Sequence, residues 1–199
     1  DKAFKQFERS LKRLNFDHVD FLLIHAILEK DNLQDIEKGI YKTVARLKEE
    51  KLTRFIGFSC HDNPQRAKEL IENLEIDHVQ LAMNATNYGG LAEVALPAAR
   101  DKNLGVISMK LMRGIVDKGA NPGELLAYNW QLEGVCTNVV AHNGLEVLSQ
   151  NIEICKNYGK GISELSNPTA LERRMQPYAG PHALVWARPD YFDGKIYTA

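Results

Sequence analysis

The sequence has no long apolar run and no excess of charge of one sign. The apolar stretches at residues 21–24 and 139–141 are far shorter than the roughly 20 residues that a membrane-spanning helix needs. The 25 Lys and Arg residues are matched by 26 Asp and Glu residues, so the formal net charge is −1 at pH 7. These two absences disfavour a membrane protein and a nucleic-acid-binding protein.

Cysteine is scarce as well. The three cysteines, at positions 60, 136 and 155, include no CxxC pair, which disfavours a disulfide framework and a structural zinc site. The sequence also lacks HExxH and Gly-x-Ser-x-Gly motifs, so zinc and serine hydrolases are poorly supported. The chain begins at Asp1, without a Met or a signal-like segment. We therefore expect a cytoplasmic protein of which this sequence is a piece.

What is present is a regular alternation of helix and strand patterns. Apolar residues at helical spacing predict a helix over residues 2–14, and the apolar run 19–24 after it has the length of a buried parallel strand. The same pair of patterns recurs along the chain. It predicts further strands at 54–59, 78–83, 105–109 and 138–142, and further helices at 33–47, 64–74, 92–102, 122–132 and 145–157.

Two architectures compete for this alternation, a doubly wound parallel sheet and a (β/α)8 barrel. No Gly-x-Gly-x-x-Gly follows any predicted strand, which weakens the doubly wound alternative. We therefore predict an α/β fold, an incomplete (β/α)8 TIM barrel of about five βα units (strands 4–8), over residues 1–158. Residues 159–199 contain many Pro and aromatic residues. They are predicted to form a C-terminal extension that packs on the barrel or on a partner.

Polar side chains follow the first three predicted strands, at the edge where barrel enzymes carry their chemistry. His25 can hydrogen-bond a carbonyl oxygen or exchange a proton near neutral pH, although a structural histidine would occupy the same place. Ser59 can bind a carbonyl or amide ligand, or merely cap a turn. Gln80 lies inside a buried strand and needs a polar partner, such as a nicotinamide carboxamide. Asn84, just beyond that strand, also has a side-chain amide that could bind this carboxamide, but it is a weaker candidate than Gln80.

Two later strand ends favour a ligand that carries phosphate. Lys110 follows the fourth strand, with Arg113 soon after it, and two cations in a loop suit phosphate or are simply solvated. Asn143 precedes the last helix, whose free N–H groups can bind phosphate, with ordinary capping as the alternative. The remaining histidines do not have the spacing of metal ligands, so no metal site is predicted.

Several segments, in this order and separation, resemble the C-terminal part of the aldo/keto reductase family. The resemblance runs from Asp1 to about Tyr158. It is carried by the segments SLKRL (10–14), DFLLIH (20–25), RFIGFS (54–59), LPAAR (96–100) and GVISMK (105–110), and by Asn151 in the last helix. The Met109-Lys110 pair is more similar to a bacterial branch of predicted oxidoreductases than to carbonyl and aldose reductases.

The resemblance implies a (β/α)8 barrel that transfers hydride from NADPH, or from NADH, to an aldehyde or ketone. It assigns His25 to orient and polarise the carbonyl group. It assigns Ser59 and Gln80 to hold the nicotinamide carboxamide. Met109 stands where many members place an aromatic ring against the nicotinamide, and Asn151 matches a helix position that faces the adenine end.

The family's catalytic tyrosine, aspartate and lysine lie on segments that would precede Asp1, so the resemblance implies little or no activity for the isolated chain. In many members an asparagine follows the nicotinamide-binding serine, whereas this sequence has Cys60 there. The family's phosphate-binding pattern is also altered at residues 142–144, so the resemblance does not decide between NADPH and NADH as the cofactor. A noncatalytic barrel that binds a nucleotide cofactor or a partner protein is the alternative hypothesis. We expect a small-molecule carbonyl substrate, no nucleic acid or membrane partner, and aggregation or oligomers if the sheet is left open.

Overall fold

Helices and parallel strands alternate along the chain. A computed structural model describes residues 2–28, 31–112, 114–142, 144–161 and 165–180. The strands are β1 (Val19–Ile27), β2 (Thr53–Cys60), β3 (His78–Ala82), β4 (Gly105–Met109) and β5 (Val135–Asn138). The α-helices are α1 (Lys2–Leu14), α2 (Leu33–Ile36), α3 (Lys42–Glu49), α4 (Pro64–Asn73), α5 (Leu91–Asp101), α6 (Pro122–Gln131), α7 (Leu145–Gly159) and α8 (Pro168–Met175). A π-helical turn over Glu37–Tyr41 joins α2 to α3. Within the described ranges, no helix is long and apolar enough to cross a bilayer.

The five strands form one parallel sheet in the order β1-β2-β3-β4-β5. Each strand lies beside its neighbour in the sequence, as in a barrel, whereas a doubly wound sheet reverses its strand order partway. The register sets Ser59 beside Gln80, and Gln80 beside Ile107. The predicted α/β architecture of the barrel type is confirmed.

The two faces of the sheet differ in composition. On one face, Phe58, Val79 and Val106 are adjacent in the register and completely buried, and they share a hydrophobic core with Leu70 and Ile71 of α4. Side chains alternate along a strand, so the residues between these core positions point to the opposite face. We refer to that second surface as the inner face. It carries Phe21, Phe55, His78, Ser59, Gln80 and Ile107.

Local sequence determines where the helices after β2 and β4 begin. Asn63 Oδ1 accepts the backbone N–H of Arg66 at 3.0 Å, and Pro64 occupies the first turn of α4. Asn121 and Glu124 form a capping box at the start of α6, in which each side chain accepts the backbone N–H of the other residue at 3.0 Å. These caps satisfy N–H groups that the first helical turn leaves without partners.

The predicted bounds of the last strand are wrong, because β5 covers Val135–Asn138 rather than residues 138–142. The chain leaves α6 and turns at Gly134, which has a φ of +98°. Val135 then enters the sheet directly and pairs with Val106. The apolar run that suggested the strand follows it instead, and Val139 is 50% exposed. His142 therefore lies in a loop beyond the end of the strand.

Residues 165–180 pack against the part of the chain that follows β4. Leu171 and Met175 of α8 are buried with Ile115 and Tyr128 in a second hydrophobic cluster. The Tyr128 hydroxyl donates to Glu172 Oε1 at 2.7 Å. Burial raises the pKa of Tyr128, and the hydrogen bond to Glu172 raises it further. The rest of the predicted extension, at 162–164 and 181–199, lies outside the described residues, and a boundary at residue 158 stays a prediction.

Candidate functional site

A bulge in β1 brings His25 and Ala26 opposite the single residue Ser59 of β2. Ile24 and Ile27 pair with the two residues that flank Ser59. They are three positions apart and both lie in the hydrophobic core, which strict alternation would not allow. The backbone N–H of Ala26 donates to Ser59 Oγ at 2.9 Å. The bulge therefore extends β1 beyond its predicted end and places His25 beside Ser59.

Ser59, Gln80 and Met109 lie together near the carboxyl edge of the inner face. Ser59 and Gln80 are register partners on adjacent strands. The Nε2 atom of Gln80 lies 3.1 Å from the sulfur of Met109. A thioether is a weak acceptor, so this amide retains most of its capacity to bind a stronger polar group. We refer to these three residues as the inner-edge cluster.

His25 is exposed, whereas its neighbour Ser59 and the Met109 side chain of the inner-edge cluster are buried. Ser59 is 3% exposed and Met109 is 5% exposed. The ring of His25 lies edge to face with the ring of His61, with centroids 6.5 Å apart, and His61 is buried. The sequence-based prediction missed His61 as a neighbour of His25, although its position two residues after Ser59 is a usable signal.

Cys60 follows Ser59 but does not join the inner-edge cluster. Its side chain is completely buried in the hydrophobic core, where the thiol donates to the carbonyl oxygen of Asn63 at 3.4 Å. Burial raises the pKa of Cys60, so the thiol stays protonated at neutral pH. The position at which the resemblance leads us to expect an asparagine is thus occupied by an uncharged core residue.

Asn84 ties the loop after β3 to the loop after β4. Its Nδ2 atom donates to the carbonyl oxygen of Lys110 at 3.2 Å. Its Oδ1 atom accepts from the Thr86 amide at 3.0 Å and from the Thr86 hydroxyl at 2.7 Å. Lys110 has a left-handed backbone with a φ of +63°, which is uncommon for a residue with a Cβ. Asn84 therefore has a structural role, and it holds the half-buried Lys110 next to Met109.

The remaining residues that the sequence predicts to contact the cofactor are Arg113, Asn143 and Asn151. Arg113 and Asn143 lie outside the described residues. Asn151 lies within α7, and its buried Nδ2 atom has no hydrogen-bond partner in the described part of the chain. The same holds for both amide atoms of Asn138 at the end of β5, a residue that the sequence analysis did not select. Buried amides without partners are rare, and a polar ligand is one way to satisfy them.

The inner-edge cluster has the chemistry to bind a planar carboxamide. A carboxamide presents one oxygen acceptor and two N–H donors. The described residues offer no acceptor for the hydroxyl hydrogen of Ser59 and no donor to the Gln80 Oε1 atom. Met109 adds a polarisable apolar surface. These residues thus fit a nicotinamide ring. Across the described ranges, no group of three His, Cys, Asp or Glu residues is placed to hold a metal ion.

The fold defines an α/β protein of the barrel type with polar groups at the carboxyl edge of its strands, where barrel enzymes bind their ligands. A sequence model of the Aldo/keto reductase family matches residues 1–175. The chain belongs to the aldo/keto reductase family, whose members are oxidoreductases that generally use NAD(P)H. This match confirms the resemblance to aldo/keto reductases that the sequence motifs indicate.

Individual relatives agree with this assignment. The chain is 26% identical over 178 residues to the L-galactose dehydrogenase of Arabidopsis thaliana, a match that covers 87% of this chain and 51% of that protein. The chain thus spans about half the length of this curated relative.

Two solved structures share the fold. The holo form of an aldo-keto reductase from Bacillus halodurans superposes with a TM-score of 0.66 at 15% identity, over 89% of this chain and 64% of that one. An aldo-keto reductase from a Medee basin deep-sea metagenome library superposes with a TM-score of 0.58 at 17% identity, over 98% of this chain and 71% of that one. At these identities the likeness concerns the fold alone.

Proposed function

We propose that this chain supplies the histidine and the nicotinamide-binding part of an enzyme that reduces an aldehyde or ketone with NADPH or NADH. The observation that carries the proposal is the convergence of four residues at one edge of the sheet. His25 lies beside Ser59 in the bulge, Ser59 lies beside Gln80, and Gln80 contacts Met109. Membership of the aldo/keto reductase family supports the same chemistry. We also propose a small-molecule carbonyl substrate and a cytoplasmic location.

The inner-edge cluster would orient the cofactor. When bound, the reduced nicotinamide ring supplies a hydride to the carbonyl carbon. The Ser59 hydroxyl would donate to the carboxamide oxygen, and Gln80 Oε1 would accept from the carboxamide nitrogen. Met109 would pack against the ring. Together these three residues would hold the nicotinamide ring in one orientation, and hydride transfer depends on such alignment.

His25 would act on the substrate. A ring N–H of His25 can donate to the carbonyl oxygen and stabilise the negative charge that develops there during hydride transfer. Its exposed position at the strand edge leaves it accessible to a small molecule. The resemblance assigns the final proton transfer to a tyrosine on a segment that would precede Asp1. We therefore propose that residues 1–199 bind the cofactor but by themselves reduce carbonyls slowly or not at all.

Lys110, Asn143 and Asn151 would hold the rest of the cofactor. The Lys110 ammonium is proposed to neutralise cofactor phosphate, because it follows Met109 in a turn that Asn84 holds in place. Asn143 is proposed to contribute to the phosphate site before α7. The unpartnered Nδ2 atom of Asn151 supports a polar contact with the adenine end.

Fluorescence titration of this chain with NADPH and NADH tests the cofactor site. We expect saturable binding, and about tenfold weaker binding after Gln80→Ala, because a lost hydrogen bond to a partly buried group costs on the order of 1–2 kcal/mol. Gln65→Ala makes the same change at an exposed position of α4 and should leave the affinity unchanged. Absence of binding, or equal losses in both variants, would contradict the assigned site.

Steady-state kinetics of the protein that carries this chain test the catalytic role. His25→Ala is expected to lower turnover of small aldehydes about 100-fold, with NADPH affinity changed by less than about twofold. Sugars belong in the substrate panel, because the Arabidopsis relative is an L-galactose dehydrogenase. Unchanged turnover would remove His25 from the site. Cofactor binding without turnover of any carbonyl would favour the noncatalytic alternative.

A further inference from the structure

We propose that Ser59 is a positioning residue for His25. Its hydroxyl anchors the bulge from which the histidine projects, and thereby couples the histidine to the carboxamide that the same hydroxyl would bind. This inference rests on the proposed function, in which His25 contacts the substrate and Ser59 contacts the cofactor.

The bulge creates a backbone donor that needs an acceptor. A bulge leaves its extra residue outside the regular ladder. Here β1 has two residues, His25 and Ala26, where β2 has Ser59. The Ala26 N–H donates to Ser59 Oγ at 2.9 Å, so a side chain replaces the missing ladder partner.

Ala26 also has a strained backbone. Its φ is +51°, in the left-handed region that residues with a Cβ seldom adopt. Such a conformation persists when the surrounding contacts hold it. The hydrogen bond to Ser59 is one such contact, and the burial of Ile24 and Ile27 on either side of the bulge is another.

The orientation of His25 depends on this hydrogen bond. The Ala26 N–H belongs to the planar peptide group that joins the two residues. Holding this N–H toward Ser59 Oγ fixes the plane of the peptide, and therefore the ψ angle of His25. The direction in which the imidazole leaves the strand follows from that angle.

The Ser59 hydroxyl can accept from the Ala26 N–H and donate to a carboxamide at the same time. A hydroxyl has one hydrogen to donate and two lone pairs to accept with. One lone pair of Ser59 accepts from Ala26, while the described residues provide no acceptor for the hydrogen. Donating this hydrogen to a carboxamide makes the oxygen a stronger acceptor, because hydrogen bonds in a chain polarise one another. Cofactor binding is therefore expected to tighten the anchor of the bulge.

Amide hydrogen exchange of Ala26, followed by NMR on this chain, tests the anchor. We expect slow exchange in the unaltered chain and about 10- to 100-fold faster exchange in Ser59→Ala, because the donor loses its partner. Ser59→Thr keeps a hydroxyl and should restore protection. Ser108→Ala removes another buried strand hydroxyl, one that donates to Asn129 at 2.8 Å on the helix-packed face, and should not change the Ala26 rate. Equal Ala26 rates in the unaltered chain and in Ser59→Ala would overturn the inference.

A double-mutant cycle on the protein that carries this chain tests the coupling to His25. Ser59→Ala is expected to lower kcat about tenfold and to raise the KM for NADPH. In a His25→Ala background the same change should lower kcat by clearly less, because no histidine remains to be positioned and only the alignment of the cofactor is affected. Equal kcat losses in both backgrounds would overturn the inference and leave the proposed function intact. If NADPH does not bind at all, the proposed function is wrong, and the exchange of Ala26 still decides whether Ser59 anchors the bulge.

Discussion

The rings of His78 and Phe21 pack in a T-shaped arrangement, with centroids 4.8 Å apart and planes at 89°. Phe21 is also in contact with Phe55, at a centroid distance of 5.4 Å. His78 is 2% exposed, and neither of its ring nitrogens has a hydrogen-bond partner in the described part of the chain. The inner face thus has a layer of aromatic rings at the amino end of the strands, with His78 among them, and the inner-edge cluster at the carboxyl end.

The burial of His78 predicts that the fold loses stability in mild acid. Burial lowers the pKa of His78, against the raising effect of Asp77, and Lys48 lowers it further. The unfolded chain then binds a proton more readily than the folded one. Stability is therefore fully present above the unfolded pKa, about 6.5, and decreases as the pH falls below it.

Urea unfolding at several pH values between about 5 and 8 measures this effect. One proton accounts for a slope of at most about 1.4 kcal/mol per pH unit. His78→Leu should reduce the slope, because the buried site no longer titrates. His142→Leu, at an exposed loop position, should retain it. The same slope in both variants would exclude His78 as the source.

Gly57 is predicted to tolerate no side chain. A Cβ at this position would lie 1.9 Å from the carbonyl oxygen of His78, a backbone atom of the neighbouring strand. Gly57→Ala should therefore lower the free energy of unfolding by about 3 kcal/mol or more.

Gly39→Ala is the matched control for this substitution. A Cβ there meets nothing within 4 Å, and Gly39 lies in a helical segment, so the change should be neutral or stabilise by up to about 1 kcal/mol. Urea denaturation measures both variants. A Gly57→Ala chain as stable as the unaltered one would show that β2 and β3 are not this close.

The docking of α8 can be tested at Met175. Its side chain is completely buried in the second hydrophobic cluster, so Met175→Ala should destabilise the chain by about 2–5 kcal/mol. The neighbouring helix position Arg173 is exposed, and Arg173→Ala should stay within about 0.5 kcal/mol. Thermal and urea unfolding measure the difference. Equal small effects would mean that α8 does not pack on the domain in solution.

The inner face near β1 is predicted to promote self-association. Phe21 is 55% exposed and Phe55 is 36% exposed, and β1 is an outer strand of the described sheet. An apolar surface beside an unpaired strand edge favours pairing with another chain. Sedimentation velocity should show oligomers of the unaltered chain and smaller species for Phe21→Thr. Phe16→Thr, which removes a ring that is 66% exposed outside the sheet, should have little effect. A monodisperse monomer of the unaltered chain contradicts the prediction.

Part of the candidate site could be predicted from local sequence. His25, Ser59 and Gln80 each lie in or at the end of a short apolar run, and parallel strands bring such ends to one edge of a sheet, so local sequence predicts that these residues lie near one another. The register of the sheet agrees with this prediction for Ser59 and Gln80, because they are direct partners on adjacent strands. The contact between Gln80 and Met109 has no local signal, because it joins strands whose pairing depends on the whole sheet.

The sequence by itself determined the order of helices and strands, since the spacing of apolar residues is a property of each segment, and its motifs identified the family. Only the tertiary structure decided the bulge at Ala26, the burial of Cys60 in the core and the start of β5 at Val135. Each of these depends on where a neighbouring element lies. A bulge exists only relative to a partner strand, and a strand begins only where the preceding helix and turn deliver the chain to the sheet.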